Sequence, residues 1–137
     1  MRIILLMMLL ISSKLIAQQS VICKCINTPN GVNVRVFAVD YHFDRDSIIV
    51  DNYRPTDIVP EVLDSDRALV KLNENQFYLI LFEDIVTHKR KYIYIETGKK
   101  SASSLVYTAD FDSPYSLMVT YDKSAKSYRE KLFIMNL

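Results

Sequence analysis

Glycine, tryptophan and histidine are the scarce residues of this chain. Its 137 residues include 2 glycines, 2 histidines and no tryptophan. Two glycines are too few for a glycine-rich phosphate loop, and neither a Gly-x-Ser-x-Gly elbow nor a His-Glu-x-x-His helix occurs. The sequence therefore lacks the motifs of nucleotide binding, serine hydrolysis and zinc hydrolysis.

The histidines, His42 and His88, are the natural candidates for a catalytic base. His42 lies near the end of a predicted strand and His88 begins a short basic run, and both positions are typical of hairpin residues. We therefore predict that the protein is not an enzyme and uses no cofactor. A small secreted hydrolase stays open as an alternative, because the fold and not the spacing sets the distance between two catalytic carboxylates.

The chain has no excess of either charge. It holds 17 lysines and arginines against 16 aspartates and glutamates. A nearly neutral chain has no electrostatic reason to bind nucleic acid. The densest basic run, residues 88–91, lies between two apolar segments and predicts a solvated turn. We expect no nucleic-acid partner.

One apolar run, residues 3–11, follows the basic Arg2 at the N-terminus, and the small Ala17 then precedes the polar Gln18 and Gln19. A membrane span needs about 20 apolar residues, so this run is too short. The order is that of a secretory signal peptide. We predict a cleaved signal peptide at residues 1–17 and one exported domain at residues 18–137, without a transmembrane span. The protein would be periplasmic or extracellular, as small proteins of the bacterial envelope are.

The remaining sequence consists of short apolar or alternating segments separated by turn residues, without sustained helical periodicity. This pattern predicts an all-β domain, an antiparallel β-sandwich of immunoglobulin-like type with about eight strands. A small up-and-down β-barrel is the alternative. The predicted strands cover residues 21–27, 32–43, 47–53, 67–72, 76–83, 91–96, 105–109, 115–121 and 128–136.

Two local features sharpen this prediction. Residues 77–82 are all apolar, which indicates a central strand covered on both faces. Asn30-Gly31 supplies the positive φ angles of a tight turn and predicts a hairpin between the first two strands. Residues 73–75 predict a second hairpin, which joins strands 67–72 and 76–83.

The cysteines, Cys23 and Cys25, are two residues apart in the first predicted strand. Residues i and i+2 of a strand share a face with Cα atoms about 6.6 Å apart, which is too far for an unstrained bridge. Four readings stay open: buried apolar side chains, disulfides to another chain, a strained internal bridge or a copper(I) site. Export favours a disulfide. We predict no metal, since neither histidine has ligand spacing.

Three Asp-x-Asp pairs lie beside predicted turns. Aspartate is a good turn residue, and it is also a calcium ligand. The helix-loop-helix calcium motif is absent, so we favour turns. The pairs are Asp44/Asp46, Asp64/Asp66 and Asp110/Asp112.

Tyrosine is abundant, with 9 residues, and Tyr92 and Tyr94 share one face of a predicted strand. If exposed, they form an amphipathic patch suited to a protein interface or a sugar ring; otherwise they fill the rim of the core. We expect a non-catalytic domain that binds a protein partner or a surface glycan, as an adhesion, envelope-assembly, inhibitor, immunity or sugar-binding module. A lipocalin-like carrier of an apolar ligand is a further alternative.

Overall fold

The computed structural model describes residues 17–99 and 103–134. Residues 1–16 of the predicted signal peptide lie outside these ranges. The described residues form ten strands: β1 Gln18–Ile26, β2 Val32–Asp44, β3 Ser47–Pro55, β4 Glu61–Val62, β5 Arg67–Asn73, β6 Phe77–Asp84, β7 Arg90–Glu96, β8 Leu105–Asp110, β9 Tyr115–Asp122 and β10 Ser127–Ile134.

The strands form two packed sheets, so the prediction of an all-β, sandwich-like fold is confirmed. The smaller sheet has the order β4-β5-β1-β8 and the larger sheet the order β10-β9-β7-β6-β2-β3. The strands do not form one closed sheet, which was the alternative. The prediction of purely antiparallel sheets is wrong, because β1 pairs with β8 and β7 pairs with β9 in parallel. Parallel pairs arise here because the chain repeatedly leaves one sheet and returns to it later.

Two predicted hairpins are crossings between the sheets. Gly31 has a φ of 90° and turns the chain as predicted, but β1 and β2 belong to different sheets. Asn75, with a φ of 56°, likewise separates β5 of the smaller sheet from β6 of the larger. A tight turn reverses the chain equally well within a sheet or across a sandwich, so turn residues alone do not decide the pairing.

The main core lies between the sheets. The larger sheet contributes Tyr78, Ile80 and Phe82 of β6, which are buried against the inner face of the smaller sheet. The opposing residues include Val21, Val70, Leu72, Tyr107 and Phe111. Burying side chains of this size stabilises the fold by about 1.5–3 kcal/mol each.

A second apolar cluster covers the outer face of the larger sheet. It is built on Val39, Phe77, Leu79 and Tyr94, all of which are buried. Every residue from Phe77 to Phe82 is therefore buried, as the apolar run predicted. No additional layer of strands lies over this outer face among the described residues.

The hairpin of β2 and β3 extends beyond the larger sheet. β2 pairs with β6 only as far as Ala38, whereas its pairing with β3 continues to Asp44. We call residues 40–52 the arm. Asp40 pairs with Asn52 but Tyr41 pairs with Val50, so one extra residue on β3 forms a bulge. A bulge bends a hairpin, and here it changes the direction of the arm at its base.

Gly98 allows the close approach of an aromatic ring. A Cβ atom at this position would collide with the ring of Tyr121. The ring of Tyr121 packs edge-on against that of Tyr128, 5.0 Å away, and the Gly98 N–H donates to the Tyr128 hydroxyl at 3.2 Å. Steric space, and not a positive φ, explains glycine here.

We expect Gly98→Ala to lower the free energy of unfolding by about 1–3 kcal/mol, because the added methyl group forces the Tyr121 ring from its site. Chemical denaturation of both proteins measures the difference. In a Tyr121→Ala background the same change should have little effect. An equal loss in both backgrounds would show that the ring is not the cause.

Candidate functional site

Tyr92 and Tyr94, the predicted binding residues, lie on the outer face of the larger sheet. Tyr92 is half-buried, and Tyr94 is only 5% exposed. The hydroxyl of Tyr94 lies 2.6 Å from that of Tyr53, a hydrogen-bond distance. Burial, followed by the hydrogen bond with Tyr53, raises the pKa of Tyr94. The two tyrosines share a face as expected, and Tyr94 is largely covered by its neighbours.

Five rings cross the outer face in a continuous row, which we call the aromatic stripe. Successive ring centroids are 5.6, 5.0, 6.0 and 5.9 Å apart. These are the separations at which aromatic rings attract each other. The row starts on the arm, where Phe43 is 63% exposed, and ends on β10. Its members are Phe43, Tyr41, Phe77, Tyr94 and Phe133.

The contact between Tyr53 and Tyr94 explains how this face is shielded. Their strands, β3 and β7, are separated by β2 and β6, so their backbones would be about 14 Å apart in a flat sheet. Because the hydroxyls nevertheless meet, the two side chains must lie flat across the strands between them. They cover the outer residues of β6 in place of a third layer.

The opposite, inner face of the larger sheet is incompletely covered at β9 and β10. The smaller sheet ends at β8, and three inner-facing apolar residues remain exposed beyond it. These are Tyr115, Leu132 and Ile134, with exposed fractions of 47%, 62% and 57%. Inner-facing residues in the middle of the sandwich, such as Ile80, Ile93 and Val119, are buried, so the exposure marks a place where the smaller sheet is too narrow.

A groove runs along this uncovered strip. It contains two clefts of about 350 and 550 Å³. One wall is the edge strand β8, and the floor is the inner face of β9 and β10, including Leu117, Glu130 and Leu132. We call it the open-side groove. Among the described residues no strand pairs with the outer edge of β8, so this edge presents unpaired backbone groups.

One acidic side chain, that of Glu130, lines both clefts of the groove. No ion pair or hydrogen bond joins the side-chain carboxylate of Glu130 to any other described residue. Its charge reaches Tyr107, whose pKa is raised mainly by burial and further by this carboxylate. Glu130 therefore places a negative charge in the floor of the groove, whose larger cleft is also lined by Lys99 and Lys126.

Lys91 lies at one end of the groove and holds the loop before β9 in place. Its side chain is buried, and its ammonium group donates to the backbone carbonyls of Ser113 and Tyr115. Burial lowers its pKa. The basic run 88–91 forms the predicted solvated turn only in part: His88, with a φ of 60°, and Lys89 precede β7, whereas Arg90 and the buried Lys91 lie in β7. Lys91 connects β7 to the loop before β9.

The structure places Cys23 and Cys25 in the core as unbridged thiols, with exposed fractions of 1% and 7%. Burial raises the pKa of Cys23 to about 12 and that of Cys25 to about 11, and nearby negative charge adds to both shifts. The thiolate is the reactive form of cysteine. We therefore expect both buried thiols to react only slowly in the folded protein.

We expect both thiols to react with iodoacetamide at pH 8 about a hundredfold or more slowly in the folded protein than in denaturant. The folded pKa values exceed the ordinary value of 9.0, so far less thiolate is present. Reaction should accelerate as pH rises, first at Cys25. Equal rates with and without denaturant, or a mass two protons lighter than the reduced chain, would contradict this account.

The histidines and the aspartate pairs have local roles. His42 lies on the arm with its Nδ1 2.8 Å from Asp51, and both side chains are exposed. Asp64 and Asp110 accept from the backbone N–H two residues later, at 3.2 and 3.0 Å, which confirms their predicted turns. In the described ranges no group of three or more histidine, cysteine, aspartate or glutamate residues could hold a metal ion.

Comparison with family models, with curated proteins and with solved structures gives no match. The part of the chain that the structure describes contains no helix with the length and apolar character needed to cross a membrane.

Proposed function

We propose that the protein is an exported, non-catalytic β-domain that binds a protein partner by accepting an extended segment in the open-side groove. One observation carries the proposal: inner-facing Leu132 and Ile134 are exposed beside the unpaired edge of β8. Export rests on the sequence of residues 1–17. The immunoglobulin-like type of the sandwich likewise stays a prediction.

An added strand would complement both features of the groove, the unpaired edge of β8 and the exposed apolar side chains of its floor. Its backbone would pair with the free edge of β8, as in recognition by β-strand addition. Its inward side chains would cover Leu132 and Ile134, and covering a large apolar side chain contributes about 1.5–3 kcal/mol. The smaller sheet would then have five strands opposite the six of the larger.

The groove also specifies the chemistry of the segment. Inward positions alternate along a strand, so every second residue should be apolar. A lysine or arginine at an inward position could pair with the carboxylate of Glu130. Proline should be absent from the paired stretch, because it lacks the backbone donor.

The interior of the sandwich favours this function over a carrier. The space between the sheets is filled by large side chains, with Tyr78 and Phe111 at 2% exposure and Phe82 at 0%. A lipocalin-like carrier would instead need an apolar cavity inside the fold. Tyr92 and Tyr94 lie on the other face of the larger sheet, and their role in partner binding stays a separate prediction.

Selection from a displayed library of random peptides tests the proposal. We expect enriched peptides with alternating apolar residues and a basic residue. Leu132→Glu should weaken their binding at least about tenfold, because it places a second negative charge on the apolar floor. Val62→Glu is the matched control, since Val62 is 78% exposed on β4 at the opposite edge of the smaller sheet.

Both substituted residues are exposed, so both variants should fold, which circular dichroism checks. Titration calorimetry with one enriched peptide then compares their affinities. Unchanged affinity for Leu132→Glu, or the same loss in Val62→Glu, would rule out strand addition in the groove.

A further inference from the structure

The base of the arm and the end of the larger sheet enclose a cleft of about 450 Å³, which we call the crook. It forms because β2 and β3 continue beyond the first residue of β6. Its volume lies in the range of small-molecule sites. The side chains that give it chemical character are Tyr41, Arg54, Gln76, Glu96, Tyr121 and Lys123.

Half-buried rings line the crook from both sides. Tyr41 stands on the arm and is held between Phe43 and Phe77, at centroid distances of 5.6 and 5.0 Å. Tyr121 comes from β9 and is held by Gly98 and by the ring of Tyr128. Rings fixed in this way lose little conformational entropy when a ligand contacts them.

Polar groups in the crook are also held in place by neighbours. The Arg54 Nε donates to Asp40 at 2.8 Å, which fixes the plane of the guanidinium and leaves donors for a ligand. The Gln76 Oε1 accepts from the hydroxyl of Tyr78 at 2.9 Å, so its amide N–H groups remain as donors. Glu96 adds acceptors.

The charges in and around the crook balance. Arg54 and Lys123 are positive, whereas Glu96 and the Asp40 partner of Arg54 are negative. A charged ligand would disturb this balance. A neutral ligand with many hydroxyl groups would use donors and acceptors alike.

We propose that the crook binds a neutral sugar ring. The C–H groups on one face of a pyranose are weakly positive and suit the negative face of an aromatic ring, while the hydroxyls at its rim suit amide, guanidinium and carboxylate groups. Tyr41 and Tyr121 supply the rings, and Arg54, Gln76 and Glu96 supply the polar groups. The proposal does not rest on strand binding in the open-side groove, although Tyr121 lines both the crook and that groove.

Titration with neutral disaccharides tests this site. The protein, as purified from expressing cells, is titrated with cellobiose, lactose, chitobiose and mannobiose, and with glucuronate and inorganic phosphate as charged comparators. Nuclear magnetic resonance follows the ring signals of Tyr41 and Tyr121. We expect at least one neutral disaccharide to shift both sets of signals, and the charged compounds to shift neither.

Arg54→Gln should weaken this binding about tenfold, because it removes a charge-assisted donor. Arg54 is exposed, so the variant should fold. Arg129→Gln is the matched control, since Arg129 forms a similar pair with Asp122 at 2.7 Å on the last hairpin. The proposal is wrong if no neutral disaccharide shifts the signals, if only a charged compound does, or if both arginine variants weaken binding equally.

Discussion

Shielding β6 from water on both faces is the constraint on which the rest of this structure depends. Six consecutive apolar residues, Phe77–Phe82, need two apolar surroundings, and the chain supplies each differently. The inner face is covered by the smaller sheet. The outer face is covered by rings from neighbouring strands, with Tyr53 and Tyr94 lying across the strands between them. The long hairpin of β2 and β3 carries Tyr53 and Tyr41 to this face, so its length follows from the same constraint.

Both proposed sites arise where this arrangement ends. The smaller sheet covers β6, β7 and the middle of β9, where Leu117 and Val119 are buried, but it leaves β10 and the Tyr115 end of β9 exposed, which creates the open-side groove. At the end of β6, the hairpin that shields the outer face continues past the sheet, which leaves the crook. The unequal lengths and numbers of strands thus create two concave surfaces without disturbing the core.

Local pattern sufficed to predict most strands and the central position of residues 77–82, because burial on both faces leaves a continuous apolar run. It did not predict the crossings at Gly31 and Asn75, because the same turn residues serve within a sheet and between sheets. The shared face of Tyr92 and Tyr94 followed from strand periodicity. The groove could not be predicted from strand periodicity, because the exposure of Leu132 depends on how many strands the opposite sheet contains. The apolar end of the last strand was the one signal for it, and by itself that pattern is typical of a core strand.

Backbone hydrogen exchange along β8 is the measurement that tests the central claim most directly. In a parallel pair, alternate residues direct their backbone groups towards the partner strand and the others direct them outwards. In the isolated protein, the exchange of Leu105–Asp110 should therefore alternate, with slow amides bonded to β1 and fast amides on the open edge. In the complex with an accepted strand, the fast amides should become slow. Uniform protection in the isolated protein would show that the edge is already covered, and would contradict the account.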